Sequence, residues 1–215
     1  MPTQRARNQL TMLNKIARVT SWVLHPFFIP IYIMVILLFT GTVHSYYSWK
    51  VKTYLLWNVS LYSLILPTLA MGLIKRLRRL SSGNKRTTRK EITITALLVG
   101  AVCFITLAFT MMKYPALAIF RKMAVAGLFC EIFCLVALPF SRISYHLTAM
   151  GAAVALFTML NILGEISLFW TLIVTILLAG VLSSVRLYMG RNRSRQLLIG
   201  FVGGFLLCVA AMMWC

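Results

Sequence analysis

Three stretches of this chain hold the residue types that could do chemistry. The first is "SSVRLYMGRNRSRQLLIG" (183–200), with Arg186, Asn192 and Gln196. The second is "SRISYHLTAMG" (141–151), with Ser144 and His146, and the third is "KRLRRLSSGNKRTTRKEITIT" (75–95), with Lys85, Arg86, Arg89 and Lys90. Guanidinium and ammonium groups bind phosphate oxygens, Arg through two parallel N–H donors. An imidazole moves a proton near neutral pH. Thr88 and Glu91 fit a capping box, which predicts a helix start whose positive dipole end faces the basic loop. That is a favourable place for an anion. The plain alternative is that these cations only hold topology and anionic lipid, at about 1 kcal/mol each near a membrane surface. A single boundary His is also, more often than not, a structural hydrogen-bonder.

The rest of the composition narrows the chemistry. Twenty-two Lys and Arg face three acids, giving a net charge of +19; the acids are Glu91, Glu131 and Glu165, and the chain contains no Asp. Metal sites built on clustered carboxylates are therefore not expected. The five cysteines, Cys103, Cys130, Cys134, Cys208 and Cys215, lie in apolar runs without metal-like partners and read as reduced packing residues. No cofactor is expected.

These residues must be positioned by membrane helices. The chain is 60% apolar and 12% charged over 215 residues, with a mean hydropathy of +0.87. That composition predicts an all-α, polytopic transmembrane bundle of six or seven spans. Candidate spans are 21–40, 53–74, 91–112, 123–140, 147–164, 167–185 and 197–214, the fourth following an interfacial segment around 114–122. Residues 1–20 form a basic N-terminal segment. Residues 21–215 form one transmembrane domain with basic loops at 75–90 and 186–196. The long first apolar stretch without a small-residue cleavage site reads as an anchor, not a signal peptide.

Seventeen of the basic residues fall on one side of these spans and five on the other. The positive-inside rule then predicts a cytoplasmic N-terminus and cytoplasmic basic loops, in a plasma or inner membrane. The three stretches follow spans two, four and six. An even number of crossings separates them, so all three meet the same face.

The ordered set of stretches resembles the phosphatidic acid phosphatase type 2 family of integral-membrane lipid phosphate phosphatases, across about residues 20–205. In the third stretch Arg186, Asn192, Gln196 and Gly200 keep the family's frame, with Ser184 displaced by one position. In the second, Ser144 and His146 remain while Ile143 and Tyr145 replace Pro and Gly. The first is loose, keeping Arg89 and Lys90. The resemblance implies a phosphorylated-lipid substrate and a metal-free mechanism. It makes His146 the general acid, and Lys85, Arg86, Arg89, Lys90, Ser144 and Arg186 phosphate ligands. It also places Asn192 where the family has its nucleophilic His, and Gln196 where it has the orienting Asp. An amide is not a useful nucleophile, and removing the nucleophile of an unrelated serine protease costs about 10⁶ in turnover. His25, in "LHPFFIP", is the one spare imidazole at the right depth, although His–Pro at a helix start has a structural explanation.

The favoured expectation is a phosphatase-like membrane protein that binds a phosphorylated lipid or polyprenyl phosphate, with impaired or absent catalysis. An active lipid phosphatase or phosphotransferase with an altered nucleophile is the first alternative. A small transporter or scaffold, in which the intramembrane Glu131 would matter most, is the second. The expected partners are membrane lipids, with an anionic or phosphorylated lipid as ligand and no nucleic acid. Gly200 and Gly204 form a small-x-x-x-small pair, and whether they serve the bundle or a homo-oligomer stays open. Pro67 is expected to kink the second span.

Overall fold

The computed structural model describes residues 15, 17, 19–40, 42–81, 89–112, 114, 117–139, 143–164, 168–190 and 192–214; of Arg89 and Lys90 it describes the backbone alone. The described residues are all-helical, with no strand. Residues 19–23 are helical. Eight further helices follow: α1 (Ile29–Phe39), α2 (Trp49–Ser60), α3 (Leu66–Ser81), α4 (Arg89–Met112), α5 (Ala118–Ala137), α6 (Tyr145–Ile162), α7 (Phe169–Tyr188) and α8 (Ser194–Trp214).

Among the described residues, five stretches are long and apolar enough to cross a membrane: Trp49–Leu77, Glu91–Met112, Tyr145–Ile162, Phe169–Tyr188 and Ser194–Trp214. The expected fourth span, 123–140, overlaps helix α5, which begins at Ala118, takes Arg121 and Lys122 into the helix and is not one of these five. The Lys122 ammonium is satisfied there, because Nζ donates to the Met212 carbonyl at 2.9 Å, near the C-terminal end of α8 where carbonyls lack helical partners.

The expected first span, 21–40, is not one helix. It breaks at Leu24–Phe28 and resumes as the 11-residue α1. Pro26 bars a helical Leu24–His25 step, while Pro30 sits in the first turn of α1, where its missing N–H costs nothing. The turn is closed by Phe28 N–H to the His25 carbonyl at 2.9 Å and by Phe27 N–H to His25 Nδ1 at 3.4 Å. The Tyr32 hydroxyl reaches back to the Val23 carbonyl at 3.2 Å.

Pro67 also has a visible effect. One π-helical turn, Leu61–Ile65, joins α2 to α3, and the Leu66 N–H bonds the Leu61 carbonyl five residues back. Proline's ring crowds the carbonyl four residues before it and offers it no donor. A π turn re-registers the ladder at that point. The Thr68 hydroxyl adds bonds to the Leu64 and Ile65 carbonyls at 2.7 and 2.9 Å.

The core is built around α6, ten of whose 18 residues are buried. Helix α8 packs along it, α5 lies against α4 and α8, α7 covers another flank, and α1 touches both α2 and α6. The α6–α8 crossing is a backbone contact. A Cβ placed on Gly204 would lie 2.0 Å from the Thr148 carbonyl oxygen, and one on Gly151 would lie 2.1 Å from that of Phe201. Gly200 faces Ile143, Ser144 and Thr148. The small-x-x-x-small pair therefore serves packing inside the bundle. Helix α7 instead exposes Trp170, Val174, Leu177 and Val181, a stripe at helical spacing that suits acyl chains.

Candidate functional site

Four elements converge at the basic end of the bundle. The Leu24–Phe28 turn supplies His25, the start of α6 supplies Tyr145 and His146, the end of α7 supplies Arg186, and the α7–α8 turn supplies Asn192. Local chemistry explains each placement. Ser144 is the N-cap residue of α6, which puts His146 in its first turn. Gly190, with φ +62°, ends α7 in the left-handed conformation that glycine adopts without a Cβ penalty. The chain then reverses into α8, whose start is closed by the Arg193 N–H donating to Gln196 Oε1 at 3.1 Å. This is one half of a capping box.

His25 and His146 touch. Their ring centroids are 5.2 Å apart, the planes at 76°. Arg186 is only 8% exposed, and its Nε and Nη2 both donate to Asn192 Oδ1, at 3.2 and 3.0 Å. A hydrogen bond involving a charged group is worth about 1.5–3 kcal/mol, so Asn192 fixes the guanidinium in place. The Asn192 amide is neutral and contributes no charge of its own. His25 lies outside the spanning helices, in the turn. Burial, and then the Arg186 charge, hold its imidazole below the ordinary value of 6.5.

The two imidazoles open onto a cavity of about 820 Å³. Trp22, His25, Lys75 and His146 line its basic end, and Met111, Phe120 and Met123 lie at the far end of the same helices. Between them the wall is almost wholly apolar, formed by residues such as Ile33, Met34, Phe104 and Leu156. Among the described residues its one ionisable carboxyl group is that of Glu131, and Thr148 and the Cys130 and Cys134 thiols also line it. Tyr145 hydrogen-bonds Thr93, which ties the start of α4 to the start of α6. The backbone of Arg89 and Lys90 therefore reaches this same end.

The expected site is thus partly assembled. His146 lines the cavity, Arg186 and Asn192 bond one another, and α4 begins alongside. Ser144 does not line the cavity: it is fully buried beneath the α6–α8 crossing, its carbonyl accepting from the Leu147 and Thr148 N–H groups at 3.0 Å. Gln196 caps α8 through its own turn. Lys85, Arg86 and the Thr88 cap lie outside the described residues, as do the side chains of Arg89 and Lys90. His25, weighed above as a spare imidazole, stands directly against His146. Its structural role holds as well, through the Phe27 N–H.

Among the described residues no group of three or more His, Cys, Asp or Glu could hold a metal ion. Cys103, Cys130, Cys134 and Cys208 are free thiols buried in the helices. Comparison with family models, with curated proteins and with solved structures finds no match to this chain.

Proposed function

We propose that the chain is an integral-membrane protein that binds a phosphorylated lipid, similar in layout to the phosphatidic acid phosphatase type 2 family but without that family's turnover. The phosphate rests at the His25–His146–Arg186 cluster and the hydrocarbon lies in the cavity. One observation carries this reading: two imidazoles in contact, with the buried Arg186 guanidinium close enough to act on His25, open onto a long apolar cavity. Charge at one end and hydrocarbon surface along the rest is the complement of an amphiphile.

A pair of imidazoles could also be read as nucleophile and acid. In-line displacement requires the attacking nitrogen about 3 Å from phosphorus, with the acid beyond the leaving oxygen on the opposite side. Rings in contact at 5.2 Å leave no room for a phosphoryl group between them. Asn192 cannot attack, and its oxygen is engaged by Arg186. Binding is therefore the better reading, and the protein belongs in the plasma or inner membrane with its basic loops cytoplasmic.

The test is phosphate release from phosphatidic acid, phosphatidylglycerol phosphate and undecaprenyl diphosphate in micelles, alongside binding of the same lipids. The expected result is binding without release, with binding weakened at least about tenfold by Arg186→Leu. Release that disappears in His146→Ala would overturn the absence of turnover. Binding that ignores Arg186 would overturn the site.

A further inference from the structure

Among the described residues Glu131 is the only acid lining the cavity, and a glycine stands opposite its carboxyl group. It stands on the inward side of α5. The facing residue on α4 is Gly100, where a Cβ would come within 2.9 Å of Glu131 Oε1. Glycine in mid-helix is unfavourable relative to alanine, and at this position it accommodates the carboxyl group. Oε2 is buried and makes no hydrogen bond among the described residues. The surrounding wall, with Phe104, Cys130, Cys134 and Ala152, offers no cation. A buried carboxyl oxygen without a partner is costly. That cost falls when a ligand in the cavity supplies a donor.

We propose that Glu131 is a specificity-determining binding residue, and that the cavity's ligand carries a hydroxyl or ammonium group between its head group and its chain. Glu131 lies six residues before Ala137, the end of α5, which is about 9 Å of helix rise below the basic end. A contact from the imidazoles to a phosphate, a linker of three or four bonds and a second hydrogen bond together span about 10 Å. The donor-bearing linkers of monoacylglycerol phosphates and phosphorylated long-chain amino alcohols fit that spacing. A polyprenyl or alkyl phosphate has no donor there and leaves Glu131 unsatisfied, which is discrimination by an unpaired polar group. The head-group part of this inference rests on the lipid-phosphate reading; the Glu131 part does not.

The experiment measures binding by titration calorimetry in nanodiscs with three probes of equal chain length: dodecyl phosphate, dodecanoylglycerol phosphate with a free hydroxyl, and uncharged dodecanoylglycerol. The expected result is that dodecanoylglycerol phosphate binds at least about tenfold more tightly than dodecyl phosphate. Glu131→Leu should erase that difference by weakening only the hydroxyl-bearing probe, while Glu131→Gln, which keeps the shape and an acceptor, retains part of it. Should Glu131→Leu fail to fold, Glu131→Gln carries the comparison. Equal affinity for the two phosphates in the unaltered protein would overturn the role of Glu131 while leaving the phosphate site standing. Failure of both phosphates to exceed the uncharged probe would overturn the phosphate site, and Glu131-dependent binding of dodecanoylglycerol would then still support the inference. No binding of any probe would overturn both.

Discussion

Gly204→Ala is the most telling perturbation of the scaffold. Helices α6 and α8 meet backbone to backbone, so the new methyl group would lie 2.0 Å from the Thr148 carbonyl oxygen, where ordinary contact begins at 3.4 Å. A backbone oxygen in a buried helix cannot swing aside, so the helices must part by about 1.4 Å or rotate equivalently. Overpacking of this kind costs typically 1–3 kcal/mol. Its functional effect comes through leverage: α6 carries His146 at its start, and the turn leading into α8 carries Asn192, which holds Arg186. A misplacement of about 1 Å at a site can cost on the order of a hundredfold. Gly180→Ala is the control, because nothing lies within 4 Å of its added methyl group. Thermal unfolding in detergent and binding of a monoacyl phosphate should both fall for Gly204→Ala, whereas in Gly180→Ala binding stays unchanged and the transition does not fall. Unaltered stability and affinity in Gly204→Ala would refute the claim that this crossing sets the geometry of the site.

Two more measurements probe other parts of the molecule. Because burial and Arg186 hold His25 below 6.5 in the folded protein, the unfolded chain binds more protons there as acidity rises. Stability of the ligand-free protein should therefore fall as pH drops below 6.5, and His25→Gln should remove that component; an identical pH profile in the variant would count against it. Lys122→Met removes the donor to the Met212 carbonyl and should lower stability by about 1–3 kcal/mol, read as an earlier thermal transition, while binding at the opposite end of the bundle stays unchanged.

The sequence made the apolar helices legible because spanning length and composition are properties of one segment at a time. The stretches 91–112, 147–164, 167–185 and 197–214 lie within a few residues of α4, α6, α7 and α8. The start of α5 was hidden because hydropathy counts Lys122 as a break, whereas the fold satisfies its charge on another helix. Pro26 and Pro30 lie inside the expected first span, but its continuous apolar run masked the break at Leu24–Phe28. Parity brought His146, Arg186 and the start of α4 to one end. It could not place His25 against His146, since the two are 121 positions apart and their contact depends on how α1 leans on α6. The cavity was wholly hidden, because a void is a property of several helices together and leaves no mark on any one of them.

The broken first helix has a consequence for how a lipid would arrive. Eleven residues rise about 16 Å, roughly half the thickness of a bilayer's hydrocarbon core. A membrane around this chain must answer that mismatch by thinning beside α1, or else admit the polar Leu24–Phe28 turn below its surface. Either response would bring the head-group plane toward the imidazole pair. On the lipid-phosphate reading, a lipid already in the leaflet would reach the cavity by sliding sideways, with its head group hydrated throughout and its chain never crossing water. Supply of such a ligand would then be a matter of two-dimensional diffusion, set by the lipid's mole fraction in the membrane and not by its concentration in solution.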